Sequence, residues 1–192
     1  MNQPAPLTIA SSELILGGQK SGKSRRAEAL AAQWLRAPGH GAVLIATAQA
    51  RDDEMRARIA RHQAERAARV PGLRLVEEAS AVPAAIMQAG GAETLRVVDC
   101  LTLWLAQRME QGASPAEDAE ALADAITRCP GPLVLVSNEI GLGVIPMGRE
   151  VRAFVDALGL LNQRAAAACE RVTLMAAGLP LVLKGDCSGE KL

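Results

Sequence analysis

The 192 residues carry 21 Lys and Arg against 21 Asp and Glu, and 49% of them are apolar although only 2% are aromatic. That length suits one domain with a real core, and the apolar share excludes global disorder. Zero net charge and few rings argue against a general nucleic-acid binder, which needs a basic face and stacking platforms, so no nucleic-acid partner is expected.

In chain order, residues 1–11 read as a loose leader, and Glu13 to Leu16 is a short strand running into Gly17-Gly18-Gln19-Lys20-Ser21-Gly22-Lys23-Ser24. A helix is predicted from about Lys23 to Leu35, ended by the turn Pro38 to Gly41. Ala42 to Ala46 is a continuous apolar run, as in a buried parallel strand. Asp52 to Ala68 reads as a helix whose acidic start suits the positive end of its dipole. Leu73–Val76 is a strand, Val82–Gln88 a helix, and Leu95–Asp99 a strand ending in an acid. Helices follow over 101–109 and 115–128, the second with Ser114 as N-cap and Pro115 at its first position. Leu133–Ser137 is another buried strand. After a Gly-rich loop over 138–148 come a long helix from Arg149 to Glu170, strands over 172–175 and 181–183, and a frayed tail from Gly185. Strands alternating with helices predict an α/β fold, a mostly parallel sheet with helices on both faces, in a single domain over 1–192. The aliphatic core agrees with that layering.

Cys100, Cys129, Cys169 and Cys187 lie far apart without a CxxC pair, so neither a zinc site nor a disulfide framework is indicated. Scattered thiols suit a reducing compartment. Met1 to Ser12 lacks a secretory signal pattern, and no stretch is long enough to span a bilayer. The expectation is a cytoplasmic protein without a membrane span.

Gly17 to Ser24 fits G-x-x-x-x-G-K-[ST] between a strand and a helix, the context that phosphate binding requires. The glycines let backbone N–H groups turn inward, and the helix N-terminus adds positive potential. Lys23 supplies charge to the β- and γ-phosphates of ATP or GTP, and Ser24 offers its hydroxyl to Mg²⁺. Asp99 closes a strand where an acid can hold Mg²⁺; the alternative is a cap for the helix that follows.

Of the two histidines, His40 sits in the turn. His62 shares a helix face with Met55 and Ile59, among Arg58, Arg61 and Arg66. A neutral imidazole can attack phosphorus, and adjacent cations favour the neutral form. The spacing alone fits equally a partly buried histidine at a helix edge.

These residues, with four further blocks in order, resemble the bifunctional adenosylcobinamide kinase/adenosylcobinamide-phosphate guanylyltransferase family of cobalamin biosynthesis. The blocks are Ala46-Thr47-Ala48 with residues 52–62; Glu77-Glu78; Val98 to Leu105; and Val136 to Pro146, continuing to Asn162-Gln163-Arg164. The resemblance covers about residues 13–183. It implies phosphorylation of adenosylcobinamide by ATP or GTP, then transfer of GMP from GTP onto adenosylcobinamide phosphate, releasing pyrophosphate. It implies that His62 carries the GMP, and that Gln63, Ala64, Glu65 and Arg66, with Ala46, Thr47, Ala48 and Glu77, lie near the guanine nucleotide. It also implies a RecA-like P-loop fold, Mg²⁺ at Ser24 and Asp99, and a homo-oligomer, a trimer. The chain departs from the pattern in three places, one of them an extra tail beyond Lys184. It is a few residues longer between His62 and Glu77, which leaves Glu78 as the alternative contact, and Met147-Gly148 replaces Glu-Asn. The rival readings are a single-activity small-molecule kinase with a structural His62 and, of another class, a RecA-like motor or regulatory module whose partner is nucleic acid or protein.

Overall fold

Short runs of Val, Leu and Ile cannot stay in water, and in this chain they line up edge to edge. The computed structural model describes residues 7–50 and 53–185. Its elements are β1 (Ser12–Gly17), α1 (Lys23–Trp34), β2 (Gly41–Ala46), α2 (Asp53–Arg69), β3 (Leu73–Glu77), α3 (Val82–Gln88), β4 (Thr94–Asp99), α4 (Leu101–Glu110), α5 (Pro115–Arg128), β5 (Leu133–Val136), α6 (Arg149–Ala168), β6 (Arg171–Ala176) and β7 (Leu179–Lys184). The strands form one seven-stranded sheet in the order β3-β2-β4-β5-β1-β6-β7. Every neighbouring pair is parallel except β6 with β7, which close as an antiparallel hairpin.

The period of two along each strand splits the core into two layers. Leu14, Leu16, Val43, Ile45, Val98, Leu133 and Leu135 face α3 to α6 and pack around the buried Trp104. Ile15, Ala42, Leu44, Leu95, Val97, Val134 and Val136 face α1, meeting Ala27, Leu30 and Ala31. Helices therefore cover both faces, as expected of aliphatic strands in a parallel sheet. At the start of α5, Ser114 Oγ accepts from Glu117 N–H at 3.4 Å, the cap read from the sequence.

Register positions the site. Glu77, Ala46, Asp99 and Val136, the last residues of β3, β2, β4 and β5, stand level across the sheet. Ile15 is level with Val136, so β1 rises further to deliver Gly17 just above that row.

Residues 7–11 are not a loose leader. Leu7 and Ile9 pack on the α1 face. Ser11 donates from its backbone N–H and its hydroxyl to Glu170 Oε2, at 2.8 and 2.6 Å, and Arg171 holds the Thr8 carbonyl at 2.6 Å. The rest of the leader, residues 1–6, and the tail beyond Gly185 lie outside the described residues.

Two buried charges knit the sheet to its helices. Glu13 on β1 accepts from Arg26 Nε of α1 and from Thr173 Oγ1 of β6, both at 2.8 Å. Arg96 on β4, wholly buried, donates to the carbonyls of Ile86, Gly90, Gly91 and Thr94, the C-terminal end of α3 and its exit loop. Paired this way, a buried charge keeps its hydrogen bonds at the cost of desolvation.

Candidate active site at the carboxyl ends of the strands

The carboxyl ends of a parallel sheet are where α/β folds open a crevice. A cavity of about 530 Å³ lies there. The loop contributes Gln19 to Gly22, the first turn of α1 contributes Lys23, Ser24 and Arg25, and β2 ends at Ala46 with Ala48 beyond. Gln63 and Arg66 of α2, Glu77 of β3, Asp99 and Cys100 after β4, Leu103 of α4, and Val136 and Asn138 at the end of β5 complete the wall.

The loop needs its glycines. A Cβ on Gly17, at φ 148°, would meet the Met175 carbonyl at 2.4 Å, and one on Gly22, at φ 103°, would press on Gly178 at 3.3 Å. The turn of the β6–β7 hairpin backs the loop, with Gly178 N–H donating to the Ser21 carbonyl at 3.0 Å. Gly17 and Gly18 do not line the cavity. Their carbonyls accept from Lys23 Nζ at 2.9 and 2.7 Å. Burial pulls the Lys23 ammonium below the ordinary lysine range, and the neighbouring Cys100 and Asp99 act the other way. Ser21 Oγ is buried without a hydrogen-bond partner, so the loop keeps a polar atom unspent.

Asp99 accepts from Arg66 at 3.1 Å, and the N-cap position of α4 is Cys100, with no side chain capping it. Asp99 lines the cavity. Arg66 also reaches Glu28 of α1 at 3.3 Å, and Arg69 reaches the same carboxylate at 2.8 Å. Glu28 therefore ties the helix that starts at the phosphate loop to the helix that bears His62.

Thr47 does not line the cavity. It is buried, and its Oγ1 donates to the Cys100 carbonyl at 2.8 Å while accepting from Cys100 N–H at 2.9 Å. It braces the turn after Asp99. Ala64 and Glu65 also stay outside; Glu65 pairs with Arg69 on the outer face of α2. Gln63 reaches inward, donating to Glu77 Oε1 at 3.1 Å. Glu78 turns away to cap the next helix, accepting from Ser80 and Ala81 N–H at 2.7 and 2.8 Å. Those bonds, that from Ala81 first, hold its carboxyl below the usual range. Of the two acids, Glu77 is the one on the cavity wall. The backbone of His62 lies in α2 directly before Gln63, whereas its side chain, with those of Met55 and Ile59, falls outside the described residues, as does Asp52.

Sequence reasoning did not place Arg25, Cys100, Leu103, Val136 and Asn138 in the site. The usable signal was topological: a residue ending or following a parallel strand faces the crevice. A second cavity of about 520 Å³ shares Ala46, Ala48, Gln63 and Glu77 with the first and continues to Arg56, Ala60 and Glu78.

The donor set fits a hard cation beside a phosphate. A hydroxyl on Ser24 and a carboxylate on Asp99 share one cavity, and Mg²⁺ takes such oxygen ligands together with phosphate oxygens.

The chain matches the family described as cobinamide kinase / cobinamide phosphate guanyltransferase over residues 13–183. It is 46% identical over 176 residues to the bifunctional adenosylcobalamin biosynthesis protein CobP of Pseudomonas aeruginosa, covering 91% of this chain and 98% of that one. Against the corresponding protein CobU of Escherichia coli it is 34% identical over 188 residues, covering 89% and 98%. The solved structure of flagellar accessory protein FlaH from Methanocaldococcus jannaschii superposes with a TM-score of 0.57 at 12% identity, over 96% of this chain and 83% of that one, a likeness of fold alone. That fold is the RecA-like P-loop α/β arrangement. With that match running from residue 13 to 183, the chain belongs to the cobinamide kinase / cobinamide phosphate guanyltransferase family.

Proposed function

We propose that this protein phosphorylates adenosylcobinamide with ATP or GTP and then transfers GMP from GTP to the product, forming adenosylcobinamide-GDP and releasing pyrophosphate. The observation that carries this reading is one cavity that gathers Lys23, Ser24 and Asp99 with Gln63, Arg66 and Glu77. The first three suit phosphoryl transfer, and the last three border the helix that carries His62.

In the kinase step, Gly17 to Ser24 would cradle the triphosphate while the corrinoid hydroxyl attacks the γ-phosphorus and the nucleoside diphosphate leaves. Lys23 would neutralise charge on the transferred group. Ser24 and Asp99 would hold Mg²⁺, whose charge offsets that of the phosphates. In the second step the His62 imidazole attacks the α-phosphorus of GTP and pyrophosphate leaves. An oxygen of the corrinoid phosphate then takes the GMP and frees the imidazole. The adjoining cavity at Glu77 and Glu78 offers carboxylates that can accept from the guanine edge.

The loop after Asn138 exposes Leu142, Val144, Ile145 and Met147, apolar surface suited to a large corrinoid. A homo-oligomer, a trimer by family resemblance, and a cytoplasmic location belong to the same proposal; light scattering on the purified protein would check the first. No helix among the described residues is long and apolar enough to cross a membrane.

Chromatography of adenosylcobinamide incubated with ATP, GTP, Mg²⁺ and the protein tests the reading. Sequential appearance of the phosphate and the GDP derivative is expected. Unchanged corrinoid would overturn it, and accumulation of the phosphate alone would leave only the single-activity kinase. Lys23→Ala is expected to abolish formation of the phosphate; an unchanged kinase rate would refute its assignment.

A further inference from the structure

Asn138 is the second residue beyond β5, and β5 lies between β1, which delivers the phosphate loop, and β4, which delivers Asp99. Its main chain is fixed from three sides. Its N–H donates to Thr102 Oγ1 at 2.9 Å, and its carbonyl accepts from Asn162 Nδ2 at 3.1 Å. The next N–H, of Glu139, donates to the Gly17 carbonyl at 3.1 Å, the same oxygen that Lys23 Nζ engages at 2.9 Å. None of these bonds uses the Asn138 side chain. Its amide stands on the cavity wall, and among the described residues its one side-chain partner is Cys100 Sγ at 4.0 Å, a long contact with a weak acceptor. Cys100 and Asp99 in turn lie close enough to act on the Lys23 ammonium.

A carboxamide held this firmly, with N–H donors not committed to a strong acceptor, is built to meet an anion. The loop amides and Lys23 surround the inner phosphates, and the Ser24–Asp99 oxygens flank the β–γ bridge. Asn138 stands beside Cys100, the residue after Asp99, where the outermost phosphate would lie. We propose that the Asn138 side-chain amide donates to the γ-phosphate and so distinguishes nucleoside triphosphate from diphosphate at this site. The inference rests on the proposed nucleotide site but not on the corrinoid chemistry. A neutral donor suits the place, because a carboxylate there would repel both Asp99 and the phosphate.

The test compares Mg²⁺ complexes of the β,γ-imido analogue of ATP and of ADP by calorimetric titration of the full chain. Asn138→Ala is expected to weaken the triphosphate analogue by about tenfold or more, the usual worth of a hydrogen bond to a charged group, while ADP changes by less than about twofold. Asn138→Asp keeps the shape and is expected to weaken the triphosphate further. Melting temperatures of both variants without nucleotide accompany the titrations, since the backbone anchors survive either change. Equal weakening of both nucleotides, or no change in either, would overturn the proposal; so would a wild type that binds neither. A wild type that leaves adenosylcobinamide unchanged, alongside a selective loss of triphosphate affinity in Asn138→Ala, would overturn the corrinoid reading and support the role of Asn138.

Discussion

Lys23 carries opposing demands. Its charge is needed for phosphates, yet burial pulls its pKa below the ordinary lysine range. A lowered value means that the folded, nucleotide-free chain binds this proton less tightly than the unfolded chain does. Stability then rises with pH as the solution approaches the ordinary lysine value of about 10.4. Lys23→Met is therefore expected to melt no lower than the wild type near neutral pH, with the difference shrinking toward alkaline pH. Calorimetric scans across that range check this, and a variant that melts clearly lower would contradict it. Cys169 runs the other way. Burial pushes its thiol from 9.0 up to about 12, so the folded state holds the proton and stability falls as pH rises above 9.0 toward about 12. Native protein treated with iodoacetamide near pH 8 should stay unmodified at Cys169 until denaturant is added, as mass spectrometry would read. Rapid native alkylation there would show that the β6 end of α6 opens.

At the scale of elements, the link between α1 and α2 runs through one carboxylate. Glu28 is buried and receives Arg66 and Arg69 together. Glu28→Gln keeps the shape but removes the charge, so that Arg66 keeps Asp99 and Arg69 keeps Glu65 while both lose the carboxylate they share. A loss of roughly 1–3 kcal/mol is expected in denaturant unfolding. The KM for GTP in guanylyl transfer should rise with it, because Arg66 is no longer aimed across the cavity. Unchanged stability and KM would show that α2 is positioned by other contacts. Most elements were legible from apolar period and punctuation: the strand before Gly17, the Ser114 cap and the acidic end of β4 all sit where residue chemistry puts them. Arg96 and residues 7–11 were not. Arg96 interrupts an apolar run, and the carbonyls that satisfy it belong to an irregular exit loop. Ser11 is pinned by a carboxylate 159 positions away, a pairing that no local pattern encodes. Thr47 and Asn138 show the same limit. The resemblance implies Thr47 near the nucleotide, and its hydroxyl closes on the Cys100 backbone, whereas Asn138, quoted only as part of the block Val136 to Pro146, reaches the cavity wall through strand order.

At the scale of the molecule, one row of strand ends creates the chemistry. Because β3, β2, β4 and β5 finish level and β1 rises above them, residues as distant in sequence as Lys23, Glu77 and Asn138 line one cavity. Gln63 and Arg66 of α2 line that cavity as well. This single nucleotide region is proposed to serve covalent guanylyl transfer as well as the kinase. Tandem mass spectrometry of the protein after incubation with GTP and Mg²⁺ tests that most directly. One added GMP on the peptide containing His62, lost in His62→Ala, is the predicted result; an unmodified chain, or an adduct that survives His62→Ala, would contradict it.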